Sequence, residues 1–251
     1  MSGEPTVVFA PTPATRALVG ALGTALATPG LRAVLIGGLG VACRLAEVHR
    51  VTGDVDLVTG EGDEPPAATL VRAGIATADT SFEGRVFVNG TKLELIETSP
   101  LTEPLAVDAD DDRLFVLSHR WALETGTACR LMVEAAAPTT VDVATPAALV
   151  ATKLHALGGR RREERKRASD AYDIFRLLAA WDTEGVVAAS LLSAPADLAN
   201  LVASAVRAAF LDDASRTMNR IHAFGDADWN VTADDLAAVA EPFVRQLEEA
   251  S

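Results

Sequence analysis

The hydrophobic and polar positions change rhythm along the chain. Leu18, Leu22 and Leu26 form one stripe over residues 12–28 behind Thr12-Pro13, which predicts a capped amphipathic helix ended by Pro29-Gly30. Leu31 to Ile36 is a short apolar run stopped by glycine, the pattern of a buried strand. Gly37-Gly38-Leu39-Gly40 is expected as the turn after it, with Val41 to Val48 helical. Residues 54–59 (DVDLVT) alternate, so a second strand sets Asp54 and Asp56 on one face and Val55 and Leu57 on the other. A loop at 61–66 and a short helix at 67–73 follow. Segments 85–88 and 92–97 read as strands joined through Asn89-Gly90, a strong hairpin signal. Residues 108–112 (DADDD) read as an acidic loop, 114–124 as a helix, and 131–134 with 139–143 as a further strand pair.

From Pro146 onward the period is helical, with helices expected at 146–158, 164–180, 183–192, 195–211 and 232–249. The predicted fold class is α/β (α+β). A domain with a short mixed sheet spans 1–144, and a helical domain spans 145–251 and completes the active-site cleft. No internal repeat or low-complexity linker interrupts the chain.

Composition narrows the function classes. The 251 residues are 49% hydrophobic and 23% charged, which is globular rather than disordered. A net charge of −13 argues against a long non-specific grip on nucleic acid, which needs a broad basic face, but leaves room for a small basic site. No apolar run reaches the ~18 residues of a membrane span, and the first residues lack a secretory pattern. Cys43 and Cys129 lie far apart in sequence and are expected as buried, reduced thiols. These features predict a cytoplasmic protein.

The candidate chemistry lies in LIGGLGVACRLAEVHRVTGDVDLV. Glycines let backbone approach a triphosphate closely, and the helix behind them offers unpaired N–H groups at its positive end. Asp54 and Asp56, two apart on a strand, face one way and can hold Mg²⁺ or Mn²⁺. Glu94 in KLELIE is the candidate third carboxylate; its bland alternative is an exposed position on an edge strand. Such a set suits metal-assisted transfer of a phosphoryl or nucleotidyl group. Arg50 has two readings, a phosphate contact or a salt bridge pinning the Asp-x-Asp strand. The four histidines show no metal-ligand spacing, and Trp121, Trp181, Tyr172 and Phe175 fit helical core positions.

Gly37-Gly38 followed by Arg50-x-Thr52-x-Asp54-x-Asp56-Leu57 resembles the signature of polymerase-β-type nucleotidyltransferases, and in this form the AbiEii group of toxins. The block 146–178 resembles the group's later motifs, a lysine within a helix and then D-x-x-D, matched by Lys153, Asp170 and Asp173. The resemblance covers roughly residues 30–180. It implies a nucleotidyltransferase-fold domain followed by helices, and an NTP as substrate. Gly37, Gly38, Arg50, Thr52 and Lys153 would bind the nucleotide. Asp54, Asp56 and Glu94 would hold the metal. Asp170 or Asp173 would position metal, nucleotide or acceptor. It further implies a tRNA 3′ end as acceptor and a cognate antitoxin as partner. The group often carries Ser or Thr after the glycines; here Leu39-Gly40 follows, so a backbone N–H must replace that hydroxyl.

Each later residue has a plainer alternative. Lys153 reads otherwise as a snorkelling surface lysine, and Asp170 with Asp173 as charge complementing a helix N-terminus. GRRREERKR (159–167) carries six basic and two acidic residues and reads as a solvated face or a polyanion contact. Two rival functions stand beside tRNA modification. One is a small-molecule nucleotidyltransferase of the aminoglycoside-modifying kind, which an acidic cleft suits. The other is a non-catalytic nucleotide-binding relative, suggested by the missing hydroxyl.

Overall fold

The computed structural model describes residues 5–10, 12–50, 52–101, 105, 107–134, 137–159, 163–195, 197–226 and 229–250. Its contacts divide the chain into two compact units. One comprises Met1–Leu101 and Ala122–Thr145, the other Thr102–Trp121 and Pro146–Ser251.

The first unit is built on one mixed sheet. Its strands are β1 (Thr6–Phe9), β2 (Ala33–Ile36), β3 (Asp54–Gly60), β4 (Thr77–Ala78), β5 (Arg85–Val88), β6 (Thr91–Thr98), β7 (Thr127–Val133) and β8 (Thr139–Val143). Among the described residues their order is β1-β7-β8-β2-β3-β6-β5-β4. The centre places β3 antiparallel to β2 and parallel to β6. Alternation then sets the two faces. Val55, Leu57, Leu93 and Leu95 enter the core with Leu18 and Leu22 of α1 (Pro13–Leu26) and Leu70 of α3 (Pro66–Arg72). Asp54, Asp56, Lys92 and Glu94 occupy the alternate, half-buried positions. Thr12 caps α1 reciprocally: its hydroxyl accepts from the Thr15 N–H at 3.1 Å, and the Thr15 hydroxyl accepts from the Thr12 N–H at 3.1 Å. Asn89 and Gly90 both take positive φ (50° and 79°), the type I′ turn that holds Arg85 opposite Glu94.

Several expectations shift. The glycine run is not a separate turn: helix α2 spans Gly37–Leu45 and starts on the first glycine, whose φ of 64° lets the chain leave β2 without a loop. The segment DADDD is only partly loop, because α4 (Asp110–Thr125) begins on its last three aspartates, which suit a helix N-terminus. β1 and β4 were not foreseen; four and two residues are too short to show a period. Trp181 is exposed rather than core.

The second unit is helical: the first part of α4, then α5 (Pro146–Gly159), α6 (Glu164–Trp181), α7 (Val186–Leu192), α8 (Leu198–Val206), α9 (Ala214–Phe224) and α10 (Ala233–Glu249). A π-helical turn at Arg207–Asp212 replaces the end of the continuous helix expected over 195–211. α9 escapes a sequence reading because its apolar positions are few (ASRTMNRIHAF). Its core gathers Leu149, Ile174, Leu177, Phe210 and Phe243, all fully buried, and Tyr172 stacks on Trp229 with ring centroids 4.3 Å apart. No helix among the described residues is long and apolar enough to cross a membrane.

Two titratable groups record the burial. Contact with Cys129, reinforced by burial, pushes the Cys43 thiol well above its usual range, which favours its protonated form. Burial lowers the His119 imidazole to about 4, against a 2.8 Å contact of its Nδ1 with the Phe115 carbonyl that favours the charged ring. The unfolded chain takes up this proton near pH 6.5 and the folded chain only near 4, so stability is full above 6.5 and falls between the two values. The span corresponds to about 3 kcal/mol. Urea midpoints recorded from pH 7 down to 4 are expected to fall, and His119→Gln is expected to flatten that slope.

Candidate functional site

In the first unit, β2, α2 and β3 build one corner. Asp56 pairs in register with Ile36 on one side and Glu94 on the other. Ile36 runs straight into Gly37, so the glycine backbone lies on the Asp56 carboxylate. A methyl group on Gly37 would overlap that carboxylate. At Gly38 an added Cβ would stand 2.5 Å from Arg50 Nη2 and 3.0 Å from Thr52 Oγ1. Gly37 is thus demanded by its positive φ and by Asp56, whereas at Gly38 the Arg50 tip could move aside for a side chain. Gly37→Ala would also hold alanine at positive φ, at a cost of roughly 1–2 kcal/mol. It is expected to lower the melting temperature by several degrees and to cut activity about a hundredfold by displacing Asp56, read by thermal melts beside turnover.

No side chain caps α2, because its N-cap is Ile36. The N–H groups of its buried first turn, residues 37–40, therefore receive no N-cap side chain and are candidate donors to an anion. Arg44, in the last turn, holds the other end of the helix. Its Nε donates to the Ala144 carbonyl at 2.8 Å, and its Nη2 donates to Thr127 Oγ1 at 2.7 Å.

Charges alternate across the sheet face. Lys92 Nζ lies 2.7 Å from Asp54 Oδ2 and 3.1 Å from Glu94 Oε1. Arg85 Nη2 reaches the same Glu94 oxygen at 2.6 Å, and its Nη1 reaches Asp79 Oδ2 at 3.5 Å. The Thr52 hydroxyl donates to Asp54 Oδ1 at 3.4 Å. Burial alone would raise the Glu94 carboxyl, but Lys92 and then Arg85 outweigh it and hold it below the usual carboxylate range. Burial works against the Lys92 ammonium too, and Asp54 and Glu94 reverse this and raise it. Among the described residues no group of three or more His, Cys, Asp and Glu side chains is gathered as one metal ion would need. Glu94 is instead occupied by two cations.

Lys92 and Arg85 were missed in the sequence, and both left a signal there. Lys92 precedes Glu94 by two, so it shares its face. The Asn89-Gly90 turn fixes Val88 opposite Thr91 and hence Arg85 opposite Glu94.

The second unit brings together the other three candidates. Lys153 of α5 lies 2.7 Å from Asp170 Oδ1 and 2.8 Å from Asp173 Oδ2 of α6. All three are buried, at 7%, 2% and 0% exposure, so Lys153 is no surface lysine and the aspartates are no N-terminal charge. Of the basic run, Arg160, Arg161 and Arg162 lie outside the described residues. Lys166 and Arg167 pair with Glu163 and Glu164 at 3.3 and 3.1 Å.

Residues 20–249 match the family described as "Nucleotidyl transferase AbiEii toxin, Type IV TA system". The chain belongs to the AbiEii nucleotidyltransferase toxin family. No curated protein matches it. A crystal structure of an antigenic nucleotidyltransferase-like protein from Paracoccidioides brasiliensis is similar at 18% identity and a TM-score of 0.47, covering 80% of this chain and 90% of that one. The family match takes in every candidate from Gly37 to Asp173. This AbiEii protein is therefore a nucleotidyltransferase of a toxin–antitoxin system, in a family that uses an NTP and a divalent metal and implies an antitoxin partner.

Proposed function

We propose that this AbiEii protein moves a nucleoside monophosphate from an NTP to the 3′ end of a tRNA in the cytoplasm, with Mg²⁺ or Mn²⁺, releasing pyrophosphate. The observation that carries the reading is the corner itself, where the uncapped first turn of α2 and the Asp56 carboxylate meet through Gly37.

The donor set has the oxygen chemistry of a hard divalent cation site, although among the described residues its carboxylates are not gathered on one point and Glu94 is held by Lys92 and Arg85. Asp54, Asp56 and Glu94 supply carboxylate oxygens from one sheet face, and the Lys92 ammonium between Asp54 and Glu94 is a protein-borne stand-in for positive charge there. A divalent ion bound by these groups would screen the triphosphate and stabilise charge on the attacking and leaving oxygens. The chain's own residues do the rest. N–H groups of residues 37–40 and the Arg50 and Thr52 side chains bind phosphate oxygens beside Gly38. Within the helical unit Lys153, oriented by Asp170 and Asp173, is the cation that the family resemblance implicates with nucleotide phosphates. The acceptor oxygen bonds to the α-phosphorus as the bond to pyrophosphate breaks, and the acceptor hydroxyl loses its proton.

The test mixes the protein with Mg²⁺, each labelled NTP in turn, and total tRNA, with Asp56→Ala as control. Label on tRNA from the intact protein alone is the expected result. Nucleotide binding with no label on any RNA overturns the tRNA acceptor and favours a small-molecule one.

A further inference from the structure

A second charged site lies wholly within the helical unit. A cavity of about 240 Å³ is rimmed by Arg167 of α6 and by Arg216 and Arg220 of α9. Its floor includes Ala205, Ala208 and Ala209, which carry only a methyl group each and leave the volume open. The π-helical turn at Arg207–Asp212 shapes this floor. It sends Phe210 into the core, and the Thr217 hydroxyl donates to the Ala209 carbonyl at 2.7 Å.

The arginines are held but not used up. Glu164 accepts from Arg220 Nε at 2.7 Å and from Arg167 Nη1 at 3.1 Å, and Arg167 Nε donates to the Leu157 carbonyl at 3.2 Å. Arg216 reaches Asp213 only at 3.4 Å and remains 74% exposed. Each guanidinium carries five N–H donors in a planar fork, so most donors around the cavity remain available. Asp111 and Asp213 also line it, and with Glu164, which holds Arg167 and Arg220, they balance the three arginines, so the site offers directed N–H donors rather than net positive charge. Rigidly held arginine forks with spare donors suit a planar pair of phosphate oxygens better than a diffuse anion. Arg165 and Lys166 also lie near the start of α6, paired with Asp226 at 3.9 Å and Glu163 at 3.3 Å.

We infer that the cavity rimmed by Arg167, Arg216 and Arg220 binds a backbone phosphate of the polynucleotide acceptor. The inference rests on the polynucleotide reading of the acceptor. Arg216 is the contact to probe, because it is exposed and, among the described residues, its ion pair with Asp213 is long at 3.4 Å.

The experiment measures anisotropy of labelled tRNA with the full chain, over a series of salt concentrations, for wild type, Arg216→Ala and Arg216→Lys. Arg216→Ala is expected to weaken binding about tenfold, with the salt slope lower by about 1. Arg216→Lys is expected to keep the slope and recover part of the affinity, because it restores charge without the fork. Equal affinity and slope for wild type and Arg216→Ala overturns the cavity's role and leaves the tRNA acceptor standing. Absence of tRNA binding by wild type overturns both. Inorganic phosphate bound by wild type and lost in Arg216→Ala, with tRNA binding unchanged, assigns the cavity to free phosphate and overturns the polynucleotide source.

Discussion

Asp56→Ala is expected to lower nucleotidyl transfer about a thousandfold or more while the protein still folds. Asp56 stands at the centre of the corner, with Ile36 and Glu94 beside it in the sheet and Gly37 against its carboxylate. Loss of one carboxylate of the cation site removes several kcal/mol of transition-state charge stabilisation, and ~4 kcal/mol is about a thousandfold in rate. The core packing is untouched by this change, since the neighbouring core positions Val55 and Leu57 point the other way and are fully buried. Stability should therefore stay within about 1 kcal/mol. Asp56→Glu separates charge from fit: it keeps the carboxylate but lengthens the side chain against Gly37, and is expected to lose most activity as well. Single-turnover transfer beside a thermal melt checks both variants. Wild-type transfer by Asp56→Ala would remove the metal assignment.

Much of this corner was legible because short-range chemistry determined it. A glycine pair after an apolar run, then carboxylates two apart on an alternating strand, specify a turn, a helix start and a shared face without tertiary information. The Asn89-Gly90 hairpin is equally local, and its register contains the Arg85–Glu94 pair. What escaped depends on longer range. The pairing of Asp56 with Glu94 joins β3 to β6 across 38 residues of chain, and neither strand carries a mark of that register. The start of α2 on Gly37 was hidden because glycine is read as a helix breaker. The breaker tendency is overridden where Gly37 must lie on a carboxylate and Gly38 on Arg50 and Thr52. In the helical unit the 3.6-residue period identified α5 and α6 and put Asp170 and Asp173 on one face. It could not tell that Lys153 would turn inward to them.

That inward turn makes Lys153→Met the substitution with the largest expected effect on stability. Lys153, Asp170 and Asp173 are buried together, and the ammonium lies within 2.8 Å of an oxygen from each aspartate. A buried pair contributes little beyond its own desolvation, but removal of one partner strands charge in a medium that cannot solvate it, costing about 3–5 kcal/mol. Here the groups that lose the ammonium are two carboxylates on one helix face, three residues apart, which repel each other as well. A large fall in the urea midpoint at neutral pH is expected. Adding Asp173→Asn to Lys153→Met removes one of the two like charges and is expected to recover part of the loss. The two changes are then non-additive, as contacting groups should be. Lys153→Arg keeps the charge but not the shape, since a planar fork must replace a point charge between α5 and α6; it is expected to fall between wild type and Lys153→Met. If the triad served only the fold, Lys153→Arg would lose transfer only in proportion to its lost stability. A phosphate contact predicts a loss of transfer at temperatures where Lys153→Arg is fully folded. An unchanged urea midpoint in Lys153→Met would mean that the ammonium does not hold the two aspartates.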